Sequence, residues 1–343
     1  MPLVVPGTAA VAVVLAVALS GLLIAATGGS PGAALRALIQ GSLGDATAVS
    51  TTLLYAAPLL LVAVGACVSA RAGAFNIGQE GQVLVGALAG AAAGLRLAVP
   101  GPLLVVVVLL AGGLAAGVWA SLSSLMHEWR GVDIAVSTLL MTFLAQQLVA
   151  YAVTTPWLLQ ESRLGSAAAL PQSNKVPAGG LLPSAGDYPG LQLNAGLLIG
   201  LLVAVLVAVA LRRTRWGFRL TMTGLNPAAA RHAGVAVGRT SGMALAVSGA
   251  LAGVAGAVLL TSPIGTNRLQ PGSSLGLGWD GLLVALVARN RPLLAIPVAA
   301  LFAMLRSGGG FLAATGVPSY LVDVVKALLT LAFVAPAVVR GRA

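Results

Sequence analysis

Charge is scarce in this 343-residue chain: Asp, Glu, Lys and Arg make up 8% of it, against roughly 25% in an average soluble domain. Hydrophobic residues make up 58% and the mean hydropathy is +1.00. That combination excludes a water-soluble domain and leaves a polytopic integral membrane protein. Cysteine is limited to Cys67, set in an apolar run, so there is no disulfide framework. Histidine is limited to His127 and His232, too far apart in sequence to suggest a local metal-ligand pair. There is no plausible Ser-His-Asp grouping and no HExxH, which argues against an intramembrane enzyme. Lysine is limited to Lys175 and Lys326, and neither follows glycine. The chain therefore has no GxxxxGK[ST] phosphate loop and cannot itself hydrolyse ATP. Aromatics are only 4%, and the cations behind the net charge of +11 stand singly between apolar runs. That pattern disfavours nucleic acid as a partner, and nothing calls for a cofactor bound by the chain.

What is abundant is apolar sequence. Runs long enough to cross a bilayer of about 30 Å lie near 8–27, 52–70, 103–126, 133–153, 194–211, 241–262 and 318–339. Shorter or broken apolar pieces lie at 83–95, 275–288 and 292–306. The first run lacks the cationic start of a secretory signal and reads as a retained helix, with a cleaved signal as the lesser alternative. Counting all pieces gives an all-α bundle of about ten membrane segments in a single domain over 1–343. Placing the basic 212–240 loop in the cytoplasm then puts both termini there. Twelve of the nineteen Lys and Arg residues fall on the same side, six fall outside, Arg306 among them, and Lys326 lies within the last span. Cations in short loops set orientation, so this bias supports the placement. The 154–193 segment, rich in Pro, Gly, Ser and Asn, becomes an external loop.

Small residues recur at four-residue spacing inside the spans: Gly86, Gly90 and Gly94, Gly113 and Gly117, Gly249 and Gly253. Such spacing predicts close helix packing. Two polar clusters interrupt the apolar pattern. In the first, Phe75, Asn76, Gln79, Glu80 and Gln82 stand among glycines just before the short 83–95 run. A broken helix with polar groups facing a cavity is expected there, the alternative being a turn that caps the next helix with Glu80 near its positive end. In the second, Trp279 and Asp280 stand in GLGWDG, a formal GxGxxG match without strand-helix context and so a coincidence in a chain with 44 glycines. Asp280 either lines a path or pairs with a nearby arginine. The two clusters open the third and eighth segments, five apart. An odd offset implies two inverted five-helix halves, with the binding region where both are interrupted. Asp323 and Lys326 share one face of the last span and read as a self-neutralising pair.

The segment 212–239 carries six arginines, His232 and no carboxylate. Arg212, Arg213 and Arg215 at the membrane edge read as topology signals. Asn226 and Pro227 open a short Ala-rich helix that ends near Gly234.

These residues carry a resemblance that covers nearly the whole chain. RAGAFNIGQEGQ from Arg71 to Gln82, TRWGFR from Thr214 to Arg219 and GLNPAAARHAG from Gly224 to Gly234 resemble the permease subunits of bacterial ABC importers for nucleosides and simple sugars. WDGLLVALVARNRP from Trp279 to Pro292 and LRSGG from Leu305 to Gly309 do so as well. The group includes branched-chain amino acid permeases, and the first motif is similar to that of the nucleoside type, in the longer of its two paired subunits. One departure is Ala228, which stands where the family usually has an acid after the loop proline.

The resemblance implies a multi-pass protein of the bacterial plasma membrane that transports nucleosides, with simple sugars or branched-chain amino acids as the alternative cargo. It implies a cytoplasmic ABC ATPase holding ATP and Mg, a second permease subunit and an external substrate-binding lipoprotein as partners. Phe75, Asn76, Gln79, Glu80, Gln82, Trp279 and Asp280 are the expected pathway residues. Gly224, Leu225, Asn226, Pro227, Ala229, Ala230, Arg231, His232 and Gly234 are expected at the ATPase contact. The alternative of another class is an ion-driven secondary transporter using Glu80, Asp280 and the Asp323–Lys326 pair. A scaffold is disfavoured, having no use for polar clusters in broken helices.

Overall fold

The computed structural model describes residues 15, 18–26, 28–162, 170–188, 191–263, 265–312 and 321–340. Its helices are α1 (Ala18–Ala26), α2 (Pro31–Leu43), α3 (Ala46–Arg71), α4 (Gln79–Arg96), α5 (Gly101–Arg130), α6 (Ile134–Thr154), α7 (Ala195–Arg213), α8 (Arg215–Leu225), α9 (Pro227–His232), α10 (Val237–Thr261), α11 (Leu277–Val287), α12 (Pro292–Leu312) and α13 (Leu321–Arg340). Among the described residues, α3, α5, α6, α7, α10 and α12 are long and apolar enough to cross a membrane, and the sharply bent α1–α2 pair makes a seventh candidate. Polar residues mark where helices begin. Asp45 Oδ1 accepts from Ala48 N–H at 2.7 Å ahead of α3, and Asp133 Oδ1 accepts from Val136 N–H at 3.1 Å ahead of α6. Side-chain oxygens there satisfy N–H groups that the first helical turn leaves unpaired.

Helices α3 and α10 form the centre and are the most buried of the spans, whereas α6, α7 and α12 turn apolar flanks outward. Leu198, Leu202 and Val209 of α7 are exposed, as lipid or another subunit requires. The glycine spacing does what close packing demands. A Cβ on Gly256 would lie 2.0 Å from the Val83 carbonyl oxygen, and one on Gly253 would lie 2.3 Å from that of Gly112. Helices α4, α5 and α10 thus touch backbone to backbone. Gly256→Leu is expected to prevent assembly of this core, read as a tenfold or greater loss of monodisperse protein extracted in mild detergent.

Three expectations change. The 292–306 piece is not short, because α12 continues to Leu312. The polar residues that end its apolar run are satisfied inside the bundle: Arg306 pairs with Asp280, and Ser307 Oγ donates to the Gly41 carbonyl at 2.9 Å. Arg306, counted with the external cations, therefore lies within a helix. Helix α2 went unforeseen because Arg36 and Gln40 dilute its apolar pattern; it packs on α12, where a Cβ on Gly308 would meet the Leu38 carbonyl at 2.5 Å. The arginine-rich loop also contains a regular helix, α8, whose first turn is capped by Thr214 Oγ1 accepting from Gly217 N–H at 3.2 Å. Half of the 8–27 run and the start of the 318–339 run lie outside the described residues.

The 154–193 segment is not shapeless. It carries an antiparallel hairpin, β1 (Ser184–Tyr188) and β2 (Leu191–Asn194), with Ser184 opposite Asn194 and Asp187 opposite Gln192. It also clasps the stretch after α10: Ser173 N–H donates to the Leu269 carbonyl and Val176 N–H to that of Asn267, both at 2.9 Å. An ion pair between Glu161 and Arg268 closes the clasp. The hydrogen bond from Gln172, then Arg268, holds the Glu161 carboxyl below its usual range.

Candidate functional site

Helix α3 ends at Arg71, and Gly73, with φ +76°, turns the chain so that residues 74–78 run without helical structure before α4 begins at Gln79. This break frees polar backbone inside the bundle, and the first polar cluster answers it. Asn76 and Gln82 exchange amide hydrogen bonds, Nδ2 to Oε1 at 2.8 Å and Nε2 to Oδ1 at 3.0 Å. Asn76 Nδ2 also donates to Ser248 Oγ on α10 at 3.0 Å, and Gln79 Nε2 donates to the Val62 carbonyl at 3.1 Å. All three side chains are buried.

Glu80 does something different. Its buried carboxylate accepts from Ser274 Oγ at 2.5 Å, from Gly276 N–H at 3.1 Å and from Gly278 N–H at 2.7 Å. Gly278 lies in the first turn of α11 and packs so tightly that a Cβ there would sit 2.3 Å from Glu80 Cα. The N-termini of α4 and α11 therefore meet inside the bundle. Two positive helix ends face each other, and one carboxylate lies between them as their shared counter-charge. The alternative reading of Glu80 as a helix cap thus describes its contacts, although the helix it caps through hydrogen bonds is the distant α11.

Beside this junction lies a cavity of about 650 Å³ whose walls include Tyr55, Trp279, Asp280, Leu283, Arg306, Gly310, Asp323 and Lys326. Its charges form one network. Asp280 Oδ2 accepts from Arg306 Nη1 at 2.8 Å and from Lys326 Nζ at 2.9 Å, and Lys326 also reaches Asp323 Oδ1 at 2.9 Å. Two cations and two carboxylates balance, so the wall is polar but neutral in sum. The Arg306 guanidinium stands 5.4 Å from the Tyr55 ring centre, a cation–π contact that holds the ring at the cavity edge. Asp280 thus lines a cavity and is paired at the same time. The Asp323–Lys326 pair exists and extends to a third member, while the Asp323 side chain is 76% exposed.

At one end of the bundle Asn226 caps α9, its Oδ1 accepting from Ala229 N–H at 3.0 Å, with Pro227 as the first residue of the helix. Gly234, at φ +79°, follows the helix end. Ala230 is buried and anchors the helix, whereas Leu225, Asn226, Ala229, Arg231 and His232 are exposed. A Cβ on Gly224 would lie 2.4 Å from the Arg71 carbonyl and 2.9 Å from Gly73 N. The entry to α9 is therefore wedged against the same turn that leads into α4.

Of the expected pathway residues, the structure places Trp279 and Asp280 on the cavity wall and Asn76, Gln79, Glu80 and Gln82 in the buried polar layer next to it. Phe75 goes elsewhere: it is 42% exposed and lines a groove with Gly224, Pro227 and Arg231 beside α9. Sequence reasoning missed Tyr55, Arg306 and Ser274. A cation inside an apolar stretch followed by three glycines was a usable signal for Arg306, whereas nothing local marked the other two.

A family model described as branched-chain amino acid transport system / permease component matches residues 48–334. The chain is 30% identical over 95% of its length to a glucose ABC transporter permease of Haloferax volcanii, covering 86% of that protein. It is 28% identical to a nucleoside ABC transporter permease of Lactococcus lactis subsp. cremoris, over 93% of this chain and 88% of that one. It is also 28% identical to a guanosine ABC transporter permease of Bacillus subtilis, over 94% of this chain and 90% of that one. No solved structure matches.

Proposed function

The chain belongs to the branched-chain amino acid transport system permease family, whose members are membrane subunits and not ATPases, and from that premise we propose that it passes nucleosides inward through the cavity at Asp280. Energy comes from a cytoplasmic ABC ATPase that docks on α9, a second permease subunit completes the pathway, and an external binding lipoprotein delivers the cargo. The whole chain acts as one permease domain of about ten membrane segments in the bacterial plasma membrane, with both termini and the 212–240 loop cytoplasmic and its halves inverted. The similarity to two nucleoside-class permeases supports the cargo. A simple sugar is the second reading, favoured by the glucose permease relative.

The observation that carries this reading is the wedge of Gly224 against Arg71 and Gly73. It gives α9 a route to the cavity: through the turn at Gly73 and along the chain to Glu80 at the start of α4, then from Glu80 to Gly278 in the first turn of α11, the turn that carries Asp280. A short helix on such a route works as a lever, so that closure of an ATPase dimer around it displaces the start of α4 and, with it, α11. Arg231→Glu, on the exposed face of α9, is expected to leave the protein inserted but to cut ATP-driven uptake at least tenfold while ATP hydrolysis continues. Unchanged uptake would remove α9 from the contact. Accumulation of labelled uridine, ribose and leucine by the reconstituted complex identifies the cargo, and failure of every nucleoside to compete would exclude the first choice.

A further inference from the structure

A second cavity, of about 220 Å³, lies against the stretch that follows α10 and is walled by Thr266, Asn267, Gln270 and Ser273 over the apolar Leu259 and Leu260. One residue, Leu275, lines both this cavity and the larger one at Asp280. Its backbone is unusual. Leu275 has φ +56° and Gly276 has φ +77°, two successive left-handed residues directly ahead of α11. Glycine adopts that conformation freely, but a leucine there is strained and persists only where its surroundings enforce it.

The surroundings do enforce it, from two sides. Glu80 on α4 takes the Ser274 hydroxyl and the Gly276 N–H that flank Leu275, while Arg306 on α12 donates to the Leu275 carbonyl. The same guanidinium holds Asp280 on the wall of the larger cavity. An acidic clamp and a basic clamp on different helices thus fix the backbone at Leu275, a residue 49% exposed that lines both spaces. Both clamps sit on helices that the route from α9 reaches or borders, so a shift of α4 relative to α12 slackens them together.

We propose that Leu275 is the barrier a substrate crosses between an outer vestibule and the central cavity, and that Glu80 and Arg306 hold it in place. This inference rests on reading the cavity at Asp280 as the transport path. A leucine at this position blocks polar solutes in the resting state because its apolar side chain offers no hydrogen bond in place of those a polar solute gives up. ATP-driven movement of α4 then releases the strained turn.

The test is entry of labelled uridine into proteoliposomes containing the complete complex, with and without ATP. Leu275→Gly removes the side chain and the backbone strain together, and Leu275→Asn supplies a smaller residue that tolerates the left-handed region. Both are expected to raise ATP-independent entry at least tenfold and to lower the ATP-driven accumulation ratio by a similar factor. Leu275→Phe, bulkier at the same place, is expected to slow ATP-driven uptake without a leak. If the unaltered complex accumulates uridine and neither smaller residue raises passive entry, the barrier assignment is overturned and the pathway reading stands. If the unaltered complex accumulates neither uridine nor ribose, both are overturned.

Discussion

Asp280→Ala is expected to abolish uptake and to destabilise the bundle by about 3–5 kcal/mol, the usual consequence of leaving a buried cation without its partner. The reason lies in how the network is shared. Asp280 serves Arg306 on α12 and Lys326 on α13 at 2.8 and 2.9 Å, so its loss leaves two positive charges to one remaining carboxylate, Asp323. In water such a charge would be solvated, but Lys326 and Arg306 are mostly buried. A double variant separates charge balance from transport. Asp280→Asn with Lys326→Met leaves Arg306 and Asp323, one charge of each sign. Its apparent melting temperature in detergent is expected to return most of the way to that of the unaltered protein while uptake stays lost. If the double variant is no more stable than Asp280→Ala, the cost does not come from unbalanced charge.

Glu80→Ala is expected to have the next largest effect. The Ser274 hydroxyl and the Gly276 and Gly278 amides all donate to this one carboxylate. Without it, the buried Ser274 and Gly278 donors lose their acceptor at about 1–3 kcal/mol each before relaxation, the part-buried Gly276 amide loses its own, and two facing helix N-termini lose their counter-charge. Uptake is expected to fall at least tenfold, while co-purification with the ATPase persists because α9 keeps its cap at Asn226. Ser274→Ala removes one donor and its need together, so its loss of stability is expected to be about 1 kcal/mol or less. Equal effects of the two substitutions would contradict the view that Glu80 joins α4 to α11.

How far the site was legible in the sequence depended on how far apart the interacting residues lie. The α9 helix was fully legible, because an Asn cap, a proline in the first turn and a glycine past the end act within the nine residues from Asn226 to Gly234. Five of the spans, α3, α5, α6, α7 and α10, were legible for the same reason, since apolar runs report their own length. Helix α12 was cut short because Arg306 and the glycines after it look like a loop until Asp280 and α2 are placed beside them. Asp280 evidently needed a partner, but two cations 26 and 46 residues away supply it, at no helical spacing. The bond from Glu80 to Gly278 crosses 198 residues, and only the idea that broken helices meet at one place pointed toward it. Phe75 was grouped with Asn76 because they are adjacent. The left-handed turn at Gly73 and the non-helical stretch after it separate them, sending the ring to the α9 groove and the amide into the core.

The central claim is that ATP consumed by a separate subunit opens and closes the cavity at Asp280, and a single thiol in that cavity tests it most directly. Gly310 lines the cavity, and a Cβ there meets nothing within 4 Å, so Gly310→Cys introduces a reactive group without disturbing the wall. The native Cys67 is buried and provides a quiet background. The measurement is the rate of Gly310→Cys modification by a membrane-impermeant thiol reagent, in the complete complex, with and without ATP and with uridine as the probe. The account predicts that ATP changes this rate severalfold, that uridine protects the thiol, and that modification blocks uptake. A modification rate indifferent to ATP and to uridine, with uptake intact after labelling, would contradict it.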